Sequence, residues 1–285
     1  MVIPGEKSPG TVHKERVEVM EFDYIECGDC LKLMQELPDD CIDLTVTSPP
    51  YDNLRDYKGY SFEFEPIAEQ LYRITKPGGV IVWIVNDGTI KGSESGTSFK
   101  QALYFKECGF NLHDTMIWKK DSFTFPESTR YPQNFEYMFV FSKGKIKTFN
   151  PIKDRKNKHV GMKIHGTYRQ KDGTTTPRGE RWTDEGGIKA FGTRFNVWEM
   201  PTVKANKTGH PAVFPMQLAK DHISSWSNEG DIVLDPFFGS GTTVIAAIEL
   251  KRHYIGFEIS EEYFEIACKR LDDAEMILEN GSDVK

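Results

Sequence analysis

The 285-residue sequence contains no uninterrupted apolar stretch near 18 residues, which excludes a membrane-spanning helix and leaves no reason to expect a membrane partner. Met1 to Arg16 is polar and lacks the apolar core of a secretory signal, so a soluble, cytoplasmic protein is expected. Cysteine is scarce. Five residues, an odd number without a framework spacing, exclude a disulfide scaffold and fit a reducing compartment. Cys27-Gly28-Asp29-Cys30 has C-x-x-C spacing, but no second pair supplies the other two ligands zinc would need, and no thioredoxin-like context surrounds it. No metal site is assigned. Internal repeats and low-complexity tracts are also lacking.

Charge is unevenly placed. The chain carries a formal net charge of −7, yet Lys143 to Arg181 holds twelve Lys/Arg against three Asp/Glu, a local balance of +9 that leaves −16 elsewhere. Such asymmetry points to a basic surface module on an acidic core, or to a solvated loop. Phe149, Tyr168, Trp182, Phe191, Phe195 and Trp198, interleaved with or following the charges, favour an ordered or DNA-ordered module. Hydrophobic residues make up 38%, enough for a substantial core.

Residues 1–20 read as a tail or arm, because Pro4, Gly5, Pro9 and Gly10 oppose regular structure. From Tyr24 onward strands and helices alternate. Tyr24–Cys27 is a short strand, and Cys30–Leu37 a short helix with Leu31, Leu33, Met34 and Leu37 apolar. Ile42–Val46 is a buried strand, Phe64–Thr75 a helix ended by Lys76-Pro77-Gly78-Gly79, and Val80–Val85 the clearest buried strand. Phe99–Cys108 is a helix. His113–Trp118 and Phe135–Phe141 read as two edge strands. Pro215–Trp226, Val244–Leu250 and Tyr263–Leu278 are helices around the strands at Ile232–Leu234 and Tyr254–Glu258. This alternation specifies a doubly wound α/β fold with a mostly parallel sheet.

Two loops carry the chemistry. Thr47-Ser48-Pro49-Pro50-Tyr51 and Asp235-Pro236-Phe237-Phe238-Gly239-Ser240-Gly241-Thr242-Thr243 each follow an apolar strand, at the sheet edge where ligands bind in open α/β folds. In the first, consecutive prolines restrict the backbone and leave the Ser48 hydroxyl and the Pro49 carbonyl as acceptors, with Tyr51 available to stack. In the second, glycines permit close backbone approach and the following helix aims N–H groups at an anion. No lysine follows Gly241, so this is not a Walker loop, and the G-x-G-x-x-G order is unmet. A cofactor beside a flat, hydrogen-bonded substrate fits both.

Ser-Pro-Pro-Tyr followed much later by Asp-Pro-Phe-x-Gly-Ser-Gly-Thr-Thr resembles the S-adenosylmethionine-dependent DNA amino-methyltransferases, in the permuted order called the β class. The similarity runs from about Tyr24 to Leu271, with Lys143 to Lys207 matching no named pattern. The resemblance implies a Rossmann-like core at 21–142 and 208–285, a basic target-recognition insert at 143–207, and S-adenosylmethionine as cofactor. Its substrate would be double-stranded DNA in a bacterium, archaeon or phage. It also leaves open a homodimer and a companion restriction endonuclease. By residue, it implies Ser48, Pro49, Pro50 and Tyr51 at the reacting amine of a flipped base. Phe237 would lie against the cofactor, and Asp235, Gly239 and Thr242, with Ser240 and Gly241 between them, would surround its methionine portion. Glu258 would bind the ribose hydroxyls and Asp29 the adenine amine.

Ser rather than Asp before Pro-Pro-Tyr is the family tendency for cytosine N4, with adenine N6 the alternative. Methylation of RNA or protein, or an inert DNA-binding module, fits less well. Relatives acting on protein carry the two motifs in the other order, and both loops are intact here. The lack of a Pro-Cys dipeptide argues against cytosine C5 chemistry, which needs a thiolate. Lys153, Arg155, Lys156 and Lys158 are the expected DNA contacts. His210-Pro211-Ala212-Val213-Phe214-Pro215 resembles a cofactor-covering segment. Asp52–Tyr57 and Arg130–Tyr137 are polar stretches that could flank the base.

Overall fold

The computed structural model describes residues 20–50, 62–124, 128–163, 166–177, 183–184, 187–203 and 214–281. Its centre is an eight-stranded sheet. In chain order its first members are β1 (Tyr24–Cys27), β2 (Ile42–Thr47) and β3 (Thr75–Val85). A small hairpin of β4 (Thr89–Ile90) and β5 (Ser93–Glu94) precedes the long strands β6 (Asn111–Thr124) and β7 (Gln133–Ser142). Short strands follow in the basic region: β8 (Arg155–Lys156), β9 (Thr167–Arg169), β10 (Thr175–Pro177), β11 (Thr183–Asp184), β12 (Gly187–Ile188) and β13 (Phe191–Gly192). Then come β14 (Val197–Glu199), β15 (Ile232–Asp235) and β16 (His253–Glu258).

The sheet order is β1-β16-β15-β2-β3-β7-β6-β14, and β7 alone runs against the rest. The strand order reverses between β15 and β2: the chain leaves β15 towards β16 on one side and β2 towards β3 on the other. That is a topological switch point, where an open α/β sheet leaves a crevice at its carboxyl edge.

Helices cover both faces. α1 (Cys30–Glu36), α2 (Phe64–Ile74) and α3 (Thr97–Glu107) lie on one, and α4 (Met216–Trp226), α5 (Thr242–Glu249) and α6 (Glu261–Gly281) on the other. Strand residues alternate between the two cores. Val80, Val82 and Ile84 face α4, α5 and α6, while Ile81, Trp83 and Val85 face α1, α2 and α3. α2 buries Ile67, Ala68, Leu71 and Ile74, one stripe at helical spacing. Trp83 is fully buried against Phe105, with its indole N–H donating to Gln101 Oε1 at 2.9 Å. Truncating it to Ala should cost about 3–5 kcal/mol.

One expectation is corrected. β3 begins at Thr75, immediately after α2, because the glycine turn is itself drawn into the sheet: Gly78 N donates to Lys143 O at 2.6 Å and Lys143 N to Gly79 O at 3.1 Å. Within 143–207 the described residues meet the core at two places. Val197–Glu199 pairs in parallel with Ile117–Lys119 as the outermost strand, and Trp198 is buried in the core. Asn150 is tied to the end of α4 through Ser225 O (2.8 Å) and Ser227 O (3.1 Å). Within the expected tail only Met20 is described.

Candidate active site

β15 and β2 are neighbours, with Val233 opposite Leu44 and Leu234 opposite Thr45, so the two sequence loops emerge side by side at the switch point. A buried hydrogen bond joins them: Thr47 Oγ1 donates to Asp235 Oδ1 at 2.6 Å. The same oxygen accepts from Phe237 N at 3.1 Å. Thr243 Oγ1, from the first turn of α5, donates to Val46 O at 3.2 Å. Burial pushes the Asp235 carboxyl up to about 6, against the lowering by its Thr47, Thr243 and Phe237 hydrogen bonds. Asp235 therefore braces the loops. Thr47 and Thr243, the residues that complete this brace, were not singled out from the sequence; the signal was a Thr adjoining Ser48 and a second Thr closing the glycine loop.

Ser48 is half-buried, Pro49 buried and Pro50 half-buried, at the end of β2. Tyr51 and Asp52–Tyr57 lie outside the described residues, as do His210–Val213. Across the switch point, Gly239 and Gly241 adopt φ of 53° and 83°. A Cβ on Gly241 would come 3.0 Å from the Phe238 ring, which is buried beneath the loop. These conformations turn the chain into α5, whose first N–H groups have no acceptor within the helix. Ser240 O, within the loop, accepts from Arg270 of α6.

Glu258, at the carboxyl end of β16, accepts from Gly239 N at 2.8 Å through Oε2 and from Ser260 N at 2.9 Å through Oε1. Burial raises its carboxyl above the ordinary range. Each oxygen keeps a second lone pair, so the group can still accept from a diol. Asp29 lies in the loop after β1, held near Glu258 by Gly28 N donating to Glu258 O at 2.9 Å. Its Oδ1 caps α1, accepting from Leu31 N at 2.9 Å. Phe237 is partly exposed, with Phe62 at 5.6 Å and Trp83 at 6.1 Å, both edge-on. Phe62, from just before α2, completes an aromatic wall that sequence reading did not find, since nothing local marks it.

The residues fit an S-adenosyl cofactor. The Thr242 hydroxyl, at the first position of α5, is buried without a hydrogen-bond partner among the described residues. An orphaned hydroxyl beside a helix N-terminus suits a carboxylate, as in the methionine portion of that molecule. The aromatic wall suits a flat ring, and Glu258 suits ribose hydroxyls.

The four expected DNA contacts lie elsewhere. β8 pairs with β13, and Arg155 is half-buried: its Nε donates to Thr193 O at 2.9 Å and its guanidinium stacks 4.6 Å from the Phe195 ring. Lys153, Lys156 and Lys158 are exposed. Arg194 anchors this region to α4, bonding Asp154 at 3.0 Å and Asp221 at 2.5 Å. Phe149 stacks on Trp226, and Trp182 lies outside the described residues. Of the C-x-x-C, Cys30 is buried within α1 and burial pushes its thiol up to about 12, so no thiolate forms there near neutral pH. Among the described residues no helix is long and apolar enough to cross a membrane.

Known proteins resemble this chain in sequence and in fold. The orphan methyltransferase M.BamHII of Bacillus amyloliquefaciens is 59% identical over 84% of this chain and 92% of its own. The type II methyltransferase M.ScaI of Streptomyces caespitosus is 28% identical over 86% of this chain and 80% of its own. Among solved structures, the cytosine-N4-specific PvuII DNA methyltransferase superposes with a TM-score of 0.62 at 21% identity, covering 90% of this chain and 92% of the other. The M1.HpyAVI–SAM complex does so with a TM-score of 0.56 at 24% identity, over 86% and 98%. The family model described as DNA methylase (N6_N4_Mtase) matches residues 42–269, and the chain belongs to this family of S-adenosylmethionine-dependent DNA amino-methyltransferases.

Proposed function

We propose that this chain methylates the exocyclic N4 amine of a cytosine flipped out of double-stranded DNA. The observation that carries the reading is Ser48 at the end of β2, held beside the glycine loop by the Thr47–Asp235 bond. The amine is a poor nucleophile because its lone pair is delocalised into the ring. Hydrogen-bond acceptors that draw on its N–H groups bring the nitrogen towards tetrahedral geometry as the bond to methyl forms. The Ser48 hydroxyl and the Pro49 carbonyl are those acceptors, and Pro49 and Pro50 restrict the backbone that presents them. S-adenosylmethionine supplies an electrophilic methyl on a charged sulfur. On this chain, Thr242 and the start of α5 hold its carboxylate, Glu258 its ribose, and Phe237 with Phe62 its ring. Asp235 is a positioning residue: both motifs hang from one of its oxygens.

The base assignment rests on Ser48 standing where an Asp would accompany adenine. The same acceptors can serve adenine N6, which is the second reading. Lys153, Lys156 and Lys158 provide phosphate contacts, while Arg155 also braces its own hairpin. The 59% identical relative is named an orphan, which favours a chain acting without a companion nuclease. The test is incubation of plasmid DNA with the protein and labelled cofactor, then nucleoside mass spectrometry. N4-methylcytosine is the expected product. N6-methyladenine would keep the chemistry and overturn the base, and no modified base would overturn both.

A further inference from the structure

Beyond the switch point, β6 and β7 leave regular pairing at the same carboxyl edge. Lys119 pairs with Phe135 and Thr124 with Gln133, so Lys120, Asp121, Ser122 and Phe123 stand opposite Asn134 alone. Four residues against one cannot stay in a flat ladder, and the excess buckles outward. The result is a shallow, open depression lined by this bulge with Tyr131, Pro132 and Asn134.

The bulge is braced. Asp121 Oδ1 accepts from Thr202 N at 2.9 Å and Thr202 Oγ1 at 3.0 Å, tying it to the chain leaving β14. Lys120 pairs with the buried Glu136 and sits 5.2 Å from the Trp118 ring, which largely neutralises its charge. The Asn134 amide, by contrast, makes no side-chain hydrogen bond among the described residues, and Tyr131 is 97% exposed without a ring partner among them. An exposed aromatic face beside a free amide, with little net charge, matches a nucleobase. The donor and acceptor of an Asn amide pair with the N6 and N7 edge of adenine, and an apolar ring surface beside it suits the methyl of the paired thymine.

Position agrees with chemistry. β7 and β6 are two and three strands from β2. At about 4.8 Å per strand the pocket lies roughly 10–15 Å along the edge from Ser48. Consecutive nucleotides of one strand are about 3.4 Å apart along the helix axis, so this spans about three to four nucleotides. We propose that the bulge between β6 and β7 is a base-reading site, in which Asn134 hydrogen-bonds the exposed edge of an adenine close to the methylated base and the Tyr131 ring packs beside it in the groove. Sequence discrimination is then shared between this hairpin and the basic segment. The inference rests on the DNA-methylating reading above.

The test compares wild type with Asn134→Ala, Tyr131→Ala and Tyr131→Phe on DNA libraries randomised around the modified base, read by sequencing of modified positions. Cofactor affinity and thermal midpoint are measured alongside. Asn134→Ala should relax the preference for adenine at one position about three to four nucleotides away, by about tenfold. Tyr131→Ala should raise KM for DNA about tenfold through loss of its groove contact, with Tyr131→Phe restoring it and cofactor affinity unchanged. If wild type modifies DNA and Asn134→Ala keeps the same preference at every position, this inference is overturned alone. A wild type that binds cofactor and modifies no DNA overturns the functional reading, and the inference with it.

Discussion

The switch point and the basic segment are built by opposite means. At β15 and β2, several buried polar groups are held by specific partners: Thr47 by Asp235, Gly239 by Glu258, Thr243 by Val46. Among the described residues from Lys153 to Gly192, the regular structure consists of two- and three-residue strand pairs, with Lys153, Lys156 and Lys158 exposed. The first arrangement fixes atoms, as transfer of a methyl group requires. The second presents charge, which needs reach more than precision. Charge alone does not define the second region. Lys143, counted in the same basic run, lies at the amino edge of the sheet, where it pairs with Asp40 and covers the Tyr72 ring. Arg194 likewise ties the region to α4.

The comparison can be broken most severely at the glycine loop. Gly239→Leu forces a side chain into a φ of 53° beside Glu258 and should abolish measurable cofactor binding by calorimetry, a loss of more than about a hundredfold. Retained affinity would mean that the loop does not hold the cofactor. In the basic segment, reversing Lys153, Lys156 and Lys158 to Glu should leave cofactor affinity intact. It should also reduce the slope of log DNA affinity against log salt by about 2–3. Lys145→Glu with Lys147→Glu, beside Gly78 at the other edge, should leave that slope unchanged. Equal effects of the two sets would erase the distinction drawn within the basic run.

Thr47→Val tests the brace. It leaves the buried Asp235 short of a donor and should cost about 1–3 kcal/mol in denaturant unfolding, while lowering turnover through misplacement of Ser48. A pH-dependent effect is expected from His222 of α4, buried against Trp198 of β14 at 4.5 Å. Burial, aided by the Arg194 charge, pushes its imidazole down to about 3. Because the folded value lies below the ordinary 6.5, the contribution is fully present above pH 6.5 and is lost as pH falls towards 3. His222→Phe keeps the stack and should lose less thermal stability than wild type between pH 6.5 and 4. Parallel pH profiles would show that this ring is not what makes the attachment of β14 acid-sensitive.

The switch point was legible in the sequence because its chemistry sits in backbone-determining residues. Prolines at 49 and 50 and glycines at 239 and 241 act locally, and the apolar runs before them announce strands wherever those strands pair. Register is another matter. His113–Trp118 and Phe135–Phe141 read as edge strands, but the bulge depends on how Lys119 and Thr124 meet Phe135 and Gln133, which neither strand encodes alone. β14 was missed for a related reason: three residues between Asn196 and Pro201 carry no periodicity, and burial of Trp198 against His222 is what recruits them. Phe62 became visible only where α2 brings it against Phe237.

The central claim is a division of labour across the switch point, with the glycine loop holding cofactor and the Ser48 loop acting on the base. Ser48→Ala tests it most directly, by measuring S-adenosylmethionine affinity and single-turnover methylation of DNA on the same preparation. The account predicts affinity within about twofold of wild type and a methylation rate lowered about a hundredfold, since an acceptor used at the reacting amine is removed. A loss of cofactor affinity as large as that of Gly239→Leu, or an unchanged rate, would contradict it.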